Sequence, residues 1–257
     1  MLRLIREYIK YCFNAKRRHG IHSPFVYDFG DKCLTQSVPD YEYGMFKALK
    51  ASLLKNKHLI TVNDMGAGSK RLKKQRSVQQ IAKVSGSNDK YGKLLYRLVA
   101  YYKPQHVLEL GTSLGLGTFM LAAGHEDVSV TTVEGCHETY DFARRGFPSS
   151  QHHKVKFVNS SFTNYLKAKD ESPIFDLVFI DGDHQSKSLF EQLELLENHI
   201  HDETIIVLDD IRWSKDMLQA WNKVFLKGDY HLTLDLFKVG IIVKRVHQQK
   251  EHFVIRY

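Results

Sequence analysis

The sequence predicts an α/β protein: a doubly wound, mostly parallel sheet of seven strands ending in an antiparallel hairpin, behind a mainly helical N-terminal extension. Three observations predict it. From residue 106 onward, short β-rich runs alternate with helical stretches, the pattern of strand–helix–strand units. The runs are apolar enough to be buried in a parallel sheet. Charge then divides the chain. Of the net +8, residues 1–105 carry a balance of +14 and the remainder −6, as expected of two units with different duties. We place a soft boundary at residue 85, giving an extension at 1–85 and an α/β domain at 86–257.

Within the extension, Leu2, Ile5, Ile9 and Phe13 are spaced as on one face of a helix over 2–13. HGIHSPFVYDF follows as a turn-rich segment, in which His19 and His22 are read as turn residues. Helices are expected at 42–57, 77–84 and 89–102, the last stopped by Pro104. In the domain, strands are expected at 106–110, 129–134, 155–159, 175–181 and 204–209. Helices are expected at 116–124, 137–145, 162–168, 185–199 and 213–226. The runs 231–237 and 240–245 read as the closing hairpin, with Lys238 and Val239 between them and Gly240 at the bend.

The segment VLELGTSLGLGTFMLA, residues 107–122, is the most informative. A strand ends at Glu109-Leu110, and Gly111, Thr112, Ser113 and Gly115 lead into an apolar helix. Glycines there let the backbone turn sharply and approach a ligand. The next strand ends at Glu134, where a carboxylate can accept both hydroxyls of a ribose. A pyrophosphate-binding fingerprint would read G-x-G-x-x-G. This chain has G-x-x-x-G-x-G with Glu109 before it, which suits a cationic ligand, although a non-binding strand–helix turn has the same outline. Asp64–Ser69 also fits D-x-G-x-G. The KRLKKQRS that follows has no apolar face to pack as a helix, so this is read as a flexible basic loop, one that could close over a ligand.

Further acids gather at the same edge. FIDGDH places Asp181, Asp183 and His184 at one strand end, and VLDDIRW places Asp209 and Asp210 at another. Carboxylates this close repel, so a metal, a cationic ligand or the basic extension should offset them. Oxygen ligands suit Mg²⁺, Ca²⁺ or Mn²⁺. The alternative is solvated acids capping the following helices.

The pattern E-x-G-T-x-x-G over 109–115 resembles motif I of class I S-adenosylmethionine (SAM)-dependent methyltransferases. FIDGDH followed by DD-x-x-W resembles their metal-dependent small-molecule O-methyltransferases, both the catechol and caffeoyl-CoA type and the sugar-modifying type. The resemblance covers about residues 85–245 and implies a Rossmann-like fold and SAM as cofactor. It implies Glu109, Gly111, Thr112, Ser113, Gly115, Glu134, Ser161 and Asp181 as SAM-binding residues. It implies Mg²⁺ on Asp181, Asp209 and Asp210, and Asp181 with Asp183 or His184 as catalytic residues. Either of the last two could be the base; a histidine side chain, with an unperturbed pKa near 6.5, suits accepting a hydroxyl proton. Ser161 could contact adenine or cap the helix after it. Tyr91-Gly92 resembles the loop that covers the methionine end of SAM. Trp213 could line an acceptor pocket or belong to the core.

Composition sets outer limits. With 43% apolar and 26% charged residues, the chain has the balance of a soluble globular protein. No apolar run approaches the roughly 20 residues of a membrane span, and charges interrupt the N-terminal apolar residues, unlike a secretory signal. Cys12, Cys33 and Cys136 are odd in number and widely spaced, which fits a reducing cytoplasm. The expected partner is a small-molecule acceptor, with a homodimer the family's common state, no membrane and no nucleic acid. The rival readings are an RNA or DNA methyltransferase using the basic segment, a non-catalytic SAM-binding module and an NAD-dependent oxidoreductase. KRLKKQR lacks the interleaved aromatics that would favour the first.

Overall fold

The structure is a computed structural model that describes residues 2–16, 23–62, 75–85, 89–168 and 173–257. His19, His22, Asp64–Ser69 and most of the basic 70–76 stretch lie outside the described residues.

The extension contains α1 (Leu2–Asn14), α2 (Pro24–Phe29), which runs on into a wider helical turn at Gly30–Thr35, and α3 (Asp40–Lys55). A small antiparallel ribbon follows, β1 (Leu59–Thr61) paired with β2 (Gln75–Ser77), then α4 (Val78–Ser85). The α/β part comprises α5 (Asp89–Tyr102), β3 (His106–Leu110), α6 (Leu116–Ala123), β4 (Ser129–Glu134), α7 (His137–Gly146), α8 (Ser149–His152) and β5 (Val155–Asn159). It continues through α9 (Phe162–Lys167), β6 (Phe175–Ile180), α10 (Ser186–Leu196), β7 (Ile200–Leu208), α11 (Lys215–Lys227), β8 (Leu232–Asp235), β9 (Gly240–Val243) and β10 (Glu251–Val254).

The main sheet runs in the order β10-β8-β9-β7-β6-β3-β4-β5. Strand β9 is antiparallel to both its neighbours, β7 and β8, while the other pairings are parallel. The sheet therefore has eight strands rather than the seven expected. The extra one is β10, an edge strand of four residues in which only Phe253 is fully buried. Its short polar sequence, EHFV, carries little strand signal. The predicted hairpin is β8–β9, and β7 starts four residues earlier than expected, at Ile200.

Alternation along β3 sends Leu108 and Leu110 to one face of the sheet and Val107 and Glu109 to the other. The first pair joins a core with Leu189, Leu193 and Trp221 from α10 and α11. Val107 joins a core with Leu98 of α5 and Met120 of α6. The same core takes in Val26, Phe29, Phe46, Leu53 and Ile60 of the extension, so these helices pack onto the sheet domain. The far N-terminal helix closes onto the chain's other end. The Tyr11 hydroxyl donates to the Ile255 carbonyl, Lys16 N donates to Val254 O at 2.8 Å, and the Tyr8 ring meets Phe237 edge-on at 5.0 Å between centroids.

Sheet order reverses at β3, whose neighbours are β4 on one side and β6 on the other. Ligands of open parallel sheets bind at this switch, beyond the carboxyl ends of the strands.

Candidate active site

The loop after β3 is shaped by backbone geometry. Gly111 has φ +115°, and a Cβ built on it would collide with the Asp181 carbonyl. Only glycine lets the loop lie this close to the end of β6. Ser113, at φ +47°, and Gly115, at φ +79°, complete the turn into α6. Of the six described non-glycine residues with positive φ, Ser113, Asp183, Asp210 and Phe237 sit in loops at this same sheet edge, Lys103 and Arg245 elsewhere. Such conformations cost about 1–3 kcal/mol each and gather where a loop has a task.

Glu109 lies beneath the loop and is 1% exposed. Its Oε2 accepts from the Thr118 hydroxyl at 2.5 Å and the Thr132 hydroxyl at 2.6 Å, and Thr112 Oγ1 joins Thr132 Oγ1 at 2.6 Å. The carboxylate therefore ties the start of α6 to β4. Gly117 makes room for it, since a Cβ there would stand 2.6 Å from Glu109 Oε1. Burial pushes the Glu109 carboxyl up to about 7, against the opposing effect of the two threonine hydroxyls.

Glu134 is half-buried at the end of β4. Its Oε2 accepts from Ser113 N at 3.0 Å and its Oε1 from Cys136 N at 2.9 Å. A carboxylate at this strand end has the acceptor chemistry for ligand hydroxyls. Ser161 takes the capping alternative: its side chain accepts from Asn164 N at the start of α9, at 3.2 Å.

Across the crevice, Asp181 follows β6, and Asp209 and Asp210 follow β7. The chain positions them by continuing the ladder, with Asp181 N bonded to Leu110 O at 2.9 Å and Asp209 N to Ile180 O at 3.0 Å. His184 Nε2 stands 3.9 Å from both Asp181 Oδ1 and Asp210 Oδ2. Asp183 turns to Gln185 instead, accepting from its Nε2 at 3.1 Å. The structure thus brings His184, of the two candidate bases, to the carboxylates. Trp213 is 58% exposed, and its ring lies 6.0 Å from that of His184, so it borders the crevice rather than the core.

Lys238, in the β8–β9 turn, enters this group. Its Nζ lies 3.0 Å from Asp209 Oδ2 and 3.4 Å from Asp210 Oδ1, and 5.3 Å from the centre of the Tyr91 ring. Burial, then the charge of Asp209, raises the Asp181 carboxyl well above the usual range, and the same two causes raise Asp210. Burial opposes the charged form of Lys238, but Asp209 and Asp210 outweigh it and hold the lysine above its ordinary value. Asp209 Oδ1 is buried with no partner among the described residues.

The turn that carries Lys238 is fixed from below. The Arg212 guanidinium forks onto Asp235 at 2.8 and 2.6 Å and donates to Phe237 O at 2.7 Å. Trp221 Nε1 and Phe237 N also donate to Asp235. Sequence reading missed this set, because Lys238 there is only a polar residue between two strands. Arg212 and Asp235 lie 23 residues apart with no motif linking them.

Asp181, Asp209 and Asp210 have the donor chemistry of an oxygen-preferring cation, but their arrangement does not fit one. Lys238 already engages two of the three. Among the described residues, no group of three or more His, Cys, Asp or Glu side chains is arranged to hold a metal ion. The expected Mg²⁺ finds no support here.

Residues 108–211 match the family model of a methyltransferase domain. No curated protein matches the chain significantly. Among solved structures, an O-methyltransferase from Bacillus cereus, in complex with S-adenosylhomocysteine (SAH), superposes with a TM-score of 0.55 at 17% identity, covering 84% of this chain and 96% of that one. SAH-bound methyltransferase PaMTH1 from Podospora anserina gives 0.52 at 18%, covering 82% and 99%. The O-methyltransferase TomG from Streptomyces achromogenes, in complex with SAM, gives 0.51 at 18%, covering 62% and 82%. Residues 108–211 are thus similar to a methyltransferase domain, and the chain shares the fold of these solved methyltransferases.

Proposed function

We propose that this protein transfers a methyl group from SAM to a hydroxyl of a small molecule. One observation carries the proposal: the glycine loop with Glu134 and the group of Asp181, His184, Asp209, Asp210 and Lys238 face each other across one sheet edge. The first half suits a donor and the second an acceptor. Similarly folded O-methyltransferases were solved in complex with SAH and with SAM, which supports SAM as the donor.

In this reading, the Glu134 carboxylate takes the ribose hydroxyls. Gly111, Thr112, Ser113 and Gly115 give the donor a close backbone surface. The positive sulfonium faces the acids beyond β6. The acceptor oxygen attacks the methyl carbon in line as the carbon–sulfur bond breaks, its electron pair passing to sulfur. His184 Nε2 accepts the hydroxyl proton, and Asp181 and Asp210 stabilise the imidazolium that forms. Positioning supplies most of the rate, since in-line transfer needs reactants held at near-attack distance. Trp213 and α1 border the acceptor side, where Arg3 donates to the Arg212 and Trp213 carbonyls at 2.9 and 3.1 Å. Among the described residues, no helix is long and apolar enough to cross a membrane.

Isothermal titration with SAM, SAH and NAD tests this reading. SAM and SAH are expected to bind and NAD not to bind. Binding of NAD alone would refute it.

A further inference from the structure

We propose that Lys238 is the resident cation of this site, filling the place a divalent metal would otherwise take between Asp181, Asp209 and Asp210. The inference rests on the methyl-transfer reading for what the site does, but not for how the lysine is held.

The ammonium makes ion pairs of 3.0 and 3.4 Å with one oxygen each of Asp209 and Asp210. A divalent ion bridging these carboxylates would need several of their oxygens at roughly 2.0–2.6 Å, and the lysine already takes one from each of two acids. It would also stand a few ångströms from a fixed positive charge, and in a partly buried site that repulsion is weakly screened. The turn that carries the lysine is fixed, although the lysine side chain is 36% exposed. Its backbone is pinned on both sides, with Lys238 O accepting from Ile211 N and Lys238 N donating to Leu236 O, each at 3.0 Å. The preceding Phe237 is held at φ +73°. The Arg212–Asp235 fork beneath it, with side chains 10% and 4% exposed, is itself buried. Together these contacts place the turn so that the ammonium's ion pairs with Asp209 and Asp210 can form without a ligand.

An ammonium has three donors. Two are directed at Asp209 and Asp210, and the third remains for an oxygen on the acceptor. Lysine thus offers the positive charge a metal would bring to a reacting oxygen, without a metal-binding step. The three acids then serve to place Lys238 and His184 rather than to ligate a metal.

Mn²⁺ titration followed by electron paramagnetic resonance, run alongside SAM titration, tests this on the full chain. We expect wild type to leave the free Mn²⁺ signal unchanged up to about millimolar concentration and to bind SAM. Lys238→Met should bind Mn²⁺ at least tenfold more tightly than wild type, with SAM affinity unchanged within about twofold. Lys238→Arg should exclude Mn²⁺ as wild type does. Mn²⁺ binding by wild type that is lost in Asp209→Asn overturns the inference, as does a folded Lys238→Met that still fails to bind Mn²⁺. The wild-type titration decides even where Lys238→Met does not fold. Failure of wild type to bind SAM would instead remove the methyl-transfer reading and leave the metal result standing.

Discussion

The two halves of the crevice are built on different principles. On the β3–β4 side, Glu109 accepts from two threonine hydroxyls and Glu134 from two backbone amides. On the β6–β7 side, three carboxylates meet an ammonium and an imidazole. The first half is made by one continuous stretch of chain and the strand beside it. The second is assembled from residues 181, 184, 209, 210 and 238. The difference teaches that a loop which must hug a ligand is written locally, whereas a charged cluster is written across the chain and balanced by a partner far away in sequence.

Removing the support under the charged half should have the largest effect. Arg212→Ala leaves Asp235, 3% exposed, without its ion pair, and breaking a buried pair costs about 3–5 kcal/mol. Urea unfolding is expected to report a loss of that size. A loss below about 1 kcal/mol would mean the β8–β9 turn does not depend on this fork.

The neutral half should show itself through pH. Glu109 titrates near 7 in the folded protein, against about 4.5 in the unfolded chain. Its proton is bound more tightly in the folded state, so folding is unpenalised below about 4.5. The penalty grows as pH rises through 7 and is constant above, reaching ~3 kcal/mol. Glu109→Gln should remove this decline, giving a flatter curve of Tm against pH between 4.5 and 7. A curve parallel to wild type would show that Glu109 ionises freely.

At the seam between the halves, Gly111→Ala forces a side chain against the Asp181 carbonyl at φ +115°. We expect a stability loss of about 1–3 kcal/mol and loss of SAM binding, read by thermal melting with and without SAM. A variant that melts and binds as wild type does would show that the loop has room. Glu134→Ala is the mildest change to the fold. It should weaken SAM at least tenfold, the value of one hydrogen bond to a charged group, with a smaller loss in Tm than Gly111→Ala. Unchanged SAM affinity would remove Glu134 from the donor side.

The same contrast explains what the sequence made legible. Strands β3 to β6 and the glycine loop could be read from apolar runs, strand–helix alternation and glycine spacing, all local signals. The convergence of Asp181, Asp209 and Asp210 was legible too, because each follows an apolar strand and parallel strands end at one edge. Lys238 was not, since its aim depends on a positive φ at Phe237 and on a guanidinium fork from residue 212, and neither leaves a periodic trace. Strand β10 escaped because an edge strand with one buried residue barely differs from a polar loop. Ser161 had two physical roles open in sequence, and only the geometry of α9 shows it capping that helix.

The central claim is that a methyl donor lies across this edge, with its ribose on Glu134 and its sulfur toward Asp181. A crystal structure of the protein with SAH tests it directly. The account predicts both ribose hydroxyls within hydrogen-bond distance of the Glu134 carboxylate, with the sulfur on the Asp181 side of Gly111. SAH bound elsewhere while this crevice stays empty would contradict it.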